Sequence, residues 1–468
     1  MTNRRQLTRR RFLKAMGLGA ALLGSRPSAG AQAQIVRPLP KQVRWQDFEL
    51  GLVYHFDLDV YMPGGHHHER SRRERLDPTL YRPAKLDTDQ WLEAARAAGA
   101  RYAIFTATHH QGFLQWQSDV YPFGLRQVEW RNGKGDIVRD FVESCRKYDI
   151  APGIYIGIRF NAYWQVYNYE VHGGQGGDPA GRKEYMRVCE RIVEELCSRY
   201  GPLCEIWFDG GVLTPEQGGP DVLPIVEEHQ PDAVFYHSQQ CAQHRWAGSE
   251  SGTAGYPCWS TMPDVGSQIR AHSDPKKRPT LLRHGDPDGK VWCPAMADAP
   301  IREHDWLWIP NTDDRLQPRD RLVEMYCKSV GHNANLILGA VPNGDGLIPE
   351  ADFNRYAELG KEIRRRFGKP VARTGGRGAM VELELPRPAR LNHVIIMEDV
   401  RQGERVRRYV IDGLSPGNTW RPVCEGTAIG HKRIQEFVTT EVARLRIRII
   451  EAIAEPIIRC FAAYSPSA

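Results

Sequence analysis

Two acidic side chains that lie far apart along the chain could support nucleophilic and acid–base chemistry. Asp209 ends the apolar run CEIWFDGG, and Glu250 lies in QQCAQHRWAGSESGTAGYPCWST (239–261), a glycine-rich segment without helical or strand periodicity. Long irregular loops in compact domains are often functional, so Glu250 could reach over an acid at a strand end. Two carboxylates about 5 Å apart, one as nucleophile and one as proton shuttle, are what a retaining glycosidase requires.

The residues around Asp209 predict where its side chain points. In a β-strand alternate residues share a face, so Glu205, Trp207 and Asp209 lie on one side and Ile206 and Phe208 on the other. We expect the first face to point into the mouth of a barrel and the second to pack against helices. The simpler alternative is a surface turn, because Asp bonds to nearby backbone and Gly accepts positive φ.

The elements that would position these acids alternate between apolar and amphipathic segments over about 300 residues. Apolar strands that are each followed by a helix are typical of a parallel sheet covered on its outer face. The sequence therefore predicts an α/β fold, an irregular (β/α)8-like TIM barrel, over residues 34–367. Strands are expected at 51–56, 102–108, 151–158, 205–209, 233–238, 280–285 and 335–341, and helices at 87–99, 136–148, 182–200, 221–229, 318–330 and 351–366.

The C-terminal part of the chain has a different periodicity. Residues 368–379, GKPVARTGGRGA, break the alternation of strands and helices and are predicted to form a linker. From residue 380 to 468, apolar and polar residues alternate with a period of two between turns, without helical segments. This pattern predicts a second domain, an antiparallel β-sandwich.

Residues 1–33 at the N-terminus are predicted to be an export signal and not part of the fold. It has a basic start, a short apolar run and Ala-x-Ala sites, and the run is too short to span a bilayer, which needs ~20 residues. The segment from Thr8 to Lys14, TRRRFLK, resembles a twin-arginine signal, which is recognised by a dedicated export machinery. We therefore expect the mature protein outside the cytoplasm, in the periplasm or beyond.

The overall composition argues against some classes of partner. The formal charge is +6, but residues 1–33 carry several arginines and no acid, so the remaining chain is close to neutral. A near-neutral chain gives no reason to expect nucleic acid as a partner. No other segment is long and apolar enough to predict a membrane span. The ten cysteines show no paired spacing, so the sequence assigns no disulfide pairing.

Polar side chains follow most of the predicted barrel strands. In a (β/α) barrel, reactive residues lie at the carboxyl ends of the strands, where side chains from separate segments meet. The sequence thus predicts one polar ring at the barrel mouth. Its members are His55, His109, His110, Arg159, Asp209 and His237.

A series of motifs resembles the α-L-fucosidases, family 29 of the glycoside hydrolases, from about Trp45 to Phe367. The C-terminal part is similar to the β-sandwich of the subgroup that acts on α-1,3/1,4-linked fucose. The resemblance implies a retaining exo-α-L-fucosidase that hydrolyses terminal α-L-fucosides by double displacement. The motifs are YHFD (54–57), TATHHQGF (106–113), GIYIG (153–157), EIWFDGG (205–211), RWAGSESGTAGYPCWS (245–260), RHGDPDGKVWCPA (283–295) and SVGHNANLILGAVPNGDGLI (329–348).

The resemblance also implies roles for individual residues, on a fucosylated oligosaccharide or glycoconjugate as substrate. Asp209 matches the family's nucleophile and Glu250 its acid/base. Neither a metal nor a cofactor is implied. The expected substrate-binding residues are His55, His109, His110, Tyr155, Arg159 and Trp259, with Trp259 as a wall of the pocket.

The chain departs from the family pattern at several positions, among them Arg159, which stands near a position where the family often has Trp or Ser. Gln111 stands where the family usually has Asp after the two histidines, and Met296 stands where the subgroup has Glu. Replacing a carboxylate by Met296 removes a charged hydrogen-bonding group. Either the recognition of the leaving group or the support of the pocket is therefore expected to differ from the subgroup.

Two alternatives remain open at this stage. The run His66-His67-His68 and the pair His109-His110 suggest a metal-dependent hydrolase, although the triplet follows a polar loop and adjacent residues of an extended segment would point in opposite directions. Gln111 and Met296 suggest instead a fucose-binding pseudoenzyme without catalytic activity. Both presumed catalytic carboxylates are present, which favours the enzyme.

Overall fold

The computed structural model of the protein describes residues 35–172, 179–274, 276 and 278–466. The predicted export signal, residues 1–33, lies outside these residues. The α-helices are α1 Pro40–Phe48, α2 His68–Arg73, α3 Thr88–Ala98, α4 Ile137–Lys147, α5 Pro179–Arg199, α6 Leu223–His229, α7 Ser267–Ser273, α8 Arg319–Ser329 and α9 Glu350–Phe367.

The strands are β1 Leu50–Tyr54, β2 Tyr102–Thr108, β3 Ala151–Ile156, β4 Phe160–Asn161, β5 Val166–Tyr167, β6 Glu170–Val171, β7 Glu205–Val212, β8 Val234–Ser238, β9 Arg245–Trp246, β10 Thr261–Met262, β11 Val291–Trp292, β12 Ala295–Pro300, β13 Ala334–Ala340, β14 Ala372–Arg377, β15 Met380–Glu398, β16 Val406–Leu414, β17 Trp420–Gly426, β18 Arg433–Ala452 and β19 Ile457–Tyr464.

Eight parallel strands form a nearly closed barrel in the order β8-β7-β3-β2-β1-β13-β12-β9. The strands are buried along most of their length, as expected when helices cover the outer face and side chains fill the interior. Helix α3 shows why the segments between strands become helical. Asp87 caps its start by accepting the N–H groups of Asp89 and Gln90, and Gly99 ends it in the left-handed conformation.

Two of the barrel strands were not predicted, and one predicted strand is wrong. Residues 280–285 were expected to form a strand, but Arg278–Leu282 is a helical turn. The barrel instead continues through β9 and β12. Strand β12, AMADAP, consists mostly of small residues that lack the β-branched and aromatic side chains by which strands are recognised.

The C-terminal domain is the predicted antiparallel β-sandwich. Its strands follow the order β14-β19-β15-β18-β16-β17, and they enclose a separate apolar core that includes Leu383, Ile411 and Phe461. Strands β15 and β18 are long, and their pairing shifts register between Glu384 and Ala389, which lets one hydrogen-bonded sheet bend into two layers. The predicted linker 368–379 is partly wrong, because its residues Ala372–Arg377 form β14 and pair with β19.

The barrel and the sandwich share buried polar contacts. Glu404 of the sandwich accepts the backbone N–H of Ser260 at 3.0 Å and the side-chain amide of Asn333 at 2.5 Å. Lys432 pairs with Glu49 at the start of β1 at 2.6 Å, with 13% and 21% of their side chains exposed. These contacts bind the sandwich directly to the loop and strand ends of the barrel.

No α-helix within the described residues is long and apolar enough to cross a membrane. The ten cysteines are all free, and six of them are buried.

Replacing Glu404 by Ala should weaken the contact between barrel and sandwich. The change leaves the buried Ser260 N–H without its acceptor, which costs about 1–3 kcal/mol, and removes one acceptor of the Asn333 amide, which keeps the Cys258 carbonyl and the Ser260 hydroxyl. Denaturant unfolding should show a lower free energy of unfolding. The exposed Glu425, which lies 3.6 Å from Arg408, provides the control, since Glu425→Ala should change stability by less than about 0.5 kcal/mol. Equal stability of the two variants would contradict the prediction.

Candidate active site

A cavity of about 140 Å³ opens at the carboxyl ends of the barrel strands. Its lining combines carboxylates, imidazoles and aromatic rings from several separate strands and loops. The lining residues are Val53, His55, His66, His68, Arg72, His109, His110, Tyr155, Trp207, Asp209, Glu250, Asp298, Trp306 and Leu307.

Asp209 reaches this cavity because β7 alternates as predicted. Trp207 and Asp209 line the cavity, whereas Ile206 and Phe208 are fully buried in the core under the helices. The next residue, Gly210, has φ of +69°, and a Cβ there would come within 2.2 Å of the Arg159 guanidinium. A glycine is therefore needed where the chain turns away after the acid.

Glu250 comes to the same cavity from the loop after β9. The indole N–H of Trp306 donates to its Oε2 at 3.0 Å, and the loop is fixed below it by a hydrogen bond of 2.8 Å from the Gly252 N–H to the carbonyl of Asp298. The Trp306 ring lies 5.2 Å from the ring of His55. Glu250 is thus held over the cavity by a side chain that belongs to the cavity wall.

A third carboxylate, Asp298 of β12, also lines the cavity and was not among the predicted site residues. The indole N–H of Trp246 donates to its Oδ1 at 2.7 Å. Burial, and next the nearby Glu250 carboxylate, raise the pKa of Asp298 well above its ordinary range. The family motif around Met296 could have revealed Asp298. Asp298 follows Met296 by two residues and therefore lies on the same face of the strand.

The structure brings His109 and His110 together, although the sequence analysis expected them to point apart. Their rings stack with centroids 3.9 Å apart. The reason is that β2 ends at Thr108, and the chain then enters a turn closed by a 3.0 Å hydrogen bond from the Gly112 N–H to the His109 carbonyl. The strand alternation that would separate the rings no longer applies there.

The cavity also receives His66 and His68, which the sequence analysis placed in a polar loop of no specific role. His68 begins α2, and its ring packs 4.9 Å from that of His110. Burial lowers the pKa of His66 to about 4 and that of His109 to about 3. Burial also lowers the pKa of His55 well below its ordinary value. At neutral pH these imidazoles are uncharged, so each offers one donor and one acceptor.

Three predicted residues lie outside the set that lines the cavity. Trp259 is buried under the Arg407 guanidinium, 4.6 Å from its ring centroid, because its backbone N–H is bound to the His284 carbonyl on the side that faces the sandwich. Arg159 packs over Gly210 and donates to Asn168 at 2.8 Å. His237 packs against Gly211. Of the predicted substrate-binding residues, His55, His109, His110 and Tyr155 line the cavity.

Two of the departures from the family pattern lie beneath the cavity. Gln111 is fully buried and donates to the carbonyls of Ser71 and Glu74, while its oxygen accepts the Leu76 N–H. It therefore fastens the segment that carries His68 and Arg72. Met296 is buried in the barrel interior, in the cluster that includes Trp207, where a carboxylate would need partners. Both residues support the cavity from below.

A (β/α) barrel with a strand-end aspartate and a loop glutamate on one cavity defines a glycoside hydrolase. Comparison with known proteins makes the assignment specific, because residues 54–366 match the family model described as alpha-L-fucosidase. The chain belongs to the α-L-fucosidase family, family 29 of the glycoside hydrolases.

The relatives cover nearly the whole chain. The chain is 28% identical to a putative alpha-L-fucosidase 1 of Oryza sativa, over 97% of the chain and 92% of the relative. It is 46% identical to a putative alpha-L-fucosidase of known structure from Bacteroides thetaiotaomicron, with a TM-score of 0.88, over 92% of this chain and all of that one. A Ruminococcus gnavus family 29 fucosidase solved with fucose shares the fold at 21% identity and a TM-score of 0.75, over 92% and 95% of the chains.

Replacing Gln111 by Asp, the family's usual residue, should destabilise this protein. Aspartate is one methylene shorter and cannot donate to the carbonyls of Ser71 and Glu74, so a free energy of unfolding lower by about 2–4 kcal/mol is expected in denaturant titration. The exposed Gln240, whose amide bonds only to Glu216 at 3.2 Å, is the control, and Gln240→Ala should change stability by less than about 0.5 kcal/mol. An unchanged stability in the Asp variant would refute the supporting role of Gln111.

Proposed function

We propose that the protein is a retaining exo-α-L-fucosidase that hydrolyses terminal α-L-fucosides by double displacement. Ionised Asp209 attacks C1 of the fucosyl group while protonated Glu250 gives its proton to the leaving oxygen, and a covalent fucosyl–enzyme forms. Water then attacks C1, with Glu250 as the base that takes its proton, and Asp209 leaves. Two inversions at C1 return the sugar in its original anomeric configuration.

The observation that carries this proposal is the presence of Asp209 and Glu250 on one cavity from two unrelated segments. Their surroundings fit different roles. Asp209 is an exposed residue within strand β7, and burial together with the Asp209 carboxylate raises the pKa of the adjacent Tyr155 well above its ordinary value, so Tyr155 stays a hydroxyl donor. Glu250 is exposed on a loop, where a proton shuttle has access to solvent.

The lining of the cavity supports fucose as the bound sugar. Its C6 methyl group needs apolar surface, which Trp207, Trp306 and Leu307 supply. Its hydroxyl groups need fixed donors and acceptors, which neutral histidines such as His55 and His109 supply. The Ruminococcus gnavus relative that was solved with fucose supports the same substrate. Neutral imidazoles also place no positive charge next to Asp209, where such a charge would pair with the nucleophilic carboxylate.

Replacement of Asp209 by Ala should abolish turnover of an aryl α-L-fucoside, with kcat lower by about 10³-fold or more. Sodium azide should restore product formation, because the small anion can occupy the space of the lost carboxylate and attack C1 directly. The product would be the β-L-fucosyl azide, with inverted configuration, and NMR would identify it.

The exposed Asp221 provides the control for Asp209, and Asp221→Ala should retain the wild-type rate. A near-wild-type rate in Asp209→Ala would refute the assignment of the nucleophile. Absence of turnover in the wild-type protein on all fucosides, with binding retained, would instead support the pseudoenzyme.

Replacement of Glu250 by Ala should affect substrates according to their leaving groups. A natural glycan needs protonation of the departing oxygen, so its kcat/KM should fall by about 10²–10⁴-fold. A dinitrophenyl fucoside leaves without a proton, so the first step should be nearly unaffected. The kcat/KM values on both substrates, which report the first step and not the hydrolysis of the fucosyl–enzyme, give the comparison, with Glu303→Ala, an exposed acid outside the cavity, as control. Equal losses on both substrates would contradict the role of Glu250 as acid.

A further inference from the structure

A second group of ionisable side chains lies behind the cavity wall at His109. Asp57 follows β1, and Asp59 lies in a short helical turn, Leu58–Tyr61. With His109, which follows β2, these residues place three atoms capable of binding a metal within 4.8 Å of one another. The three residues come from two neighbouring barrel strands and the turn between β1 and α2.

Each of the three residues keeps a buried polar atom without a hydrogen-bond partner. The atoms are Asp57 Oδ2, Asp59 Oδ1 and His109 Nδ1. Both aspartates are fully buried, and His109 is 6% exposed. The second oxygen of each aspartate is satisfied, since Asp57 Oδ1 accepts the Leu58 N–H at 2.6 Å and Asp59 Oδ2 accepts the Ser71 hydroxyl at 2.5 Å. Buried polar atoms are rarely left unpaired, so these three indicate a missing partner.

The charge balance points to a cation as that partner. Within the described part of the chain, neither Asp57 nor Asp59 has an arginine or lysine in ion-pair contact. Other buried acids have such a partner. Asp412 is paired with Arg446 and Arg448, and Asp352 is paired with Arg302. Two adjacent buried carboxylates without a counter-charge are unfavourable.

We propose that Asp57, Asp59 and His109 together bind one divalent transition-metal ion. Two carboxylates and an imidazole suit Zn²⁺ or Mn²⁺, whereas Mg²⁺ and Ca²⁺ are bound mainly by oxygen. The two aspartates are buried and are not part of the cavity lining, so the ion acts on the structure and not on the substrate. Double displacement by Asp209 and Glu250 needs no metal, and the proposal stands independently of that reaction.

The consequence for the cavity is a fixed orientation of His109. A metal at Nδ1 leaves the proton on Nε2, so the ring presents a donor and cannot change its tautomer. The ion would also connect β1 and β2 to α2, because Asp59 holds Ser71 of that helix. The site would therefore join the cavity wall at His109 to the wall formed by α2. Strand pairing in the barrel does not connect these two walls.

The metal content of the purified full-length chain tests the proposal directly. The protein is prepared without chelator or histidine tag, and its divalent metals are measured by mass spectrometry. About one equivalent of Zn²⁺ or Mn²⁺ per chain is expected. The double variant Asp57→Asn/Asp59→Asn keeps the shape of both side chains without their charges and should retain less than a tenth of an equivalent. Asp412→Asn, which alters a buried acid that has arginine partners, should keep the wild-type content.

A second measurement covers the case in which the double variant fails to fold. Wild-type protein is warmed with dipicolinate, dialysed, and its melting temperature is compared before and after addition of metal. The melting temperature should fall on removal by several degrees and recover with Zn²⁺ or Mn²⁺, but not with Mg²⁺ or Ca²⁺.

Two results would overturn the proposal. Wild-type protein with less than a tenth of an equivalent of any divalent metal, and with a melting temperature unchanged by Zn²⁺ and Mn²⁺, would mean that the two carboxylates share a proton. A full equivalent of metal in the double variant would place the ion elsewhere, for example at the exposed His67. Loss of fucosidase activity alone decides neither case, so this test is separate from that of the catalytic carboxylates.

Discussion

Strand β7 pairs in parallel with β3 on one side and β8 on the other, and this pairing fixes the end of the strand where Asp209 lies. Parallel strands have their carboxyl ends at one edge, so the residues after β1, β2, β3 and β7 must meet there whatever their separation along the chain. The period of two then decides which of them face inward. The cavity follows from these two geometric conditions before any specific contact is considered.

The electrostatics of the cavity depend on the burial of its histidines. Three carboxylates, Asp209, Glu250 and Asp298, share one space with five imidazoles. If the imidazoles were charged, they would pair with the acids and hold them ionised, which a proton-donating acid cannot tolerate. Because burial keeps the histidines neutral, the acids interact mainly with each other. The acid on which this interaction acts is Asp298, whose pKa is raised by burial first and by the neighbouring Glu250 carboxylate next.

Sequence patterns predicted the parts of the molecule that local rules control, namely the barrel, the sandwich and the inward face of β7. They failed where the deciding contact is non-local. Strand β12 forms from small residues because β13 lies beside it, and His109 stacks on His110 because a turn replaces the strand. The resemblance to the family implied that Trp259 is a wall of the pocket, but Arg407 of the sandwich lies over it. His66 and Trp306 reach the cavity from loops, and His68 from the start of the short helix α2, and no periodicity describes the course of such segments.

The loops depend on buried polar contacts that fasten them to the barrel. The segment with His68 and Arg72 is held by Gln111 from β2's end and by Ser71, which donates to Asp59. A glutamine in place of the family's aspartate fits this task, because two backbone carbonyls need donors and a carboxylate has none. Glu in place of Met296 would likewise add a charge to an apolar interior. The two departures therefore alter how the cavity is supported, while Asp209, Glu250 and the imidazoles still line it.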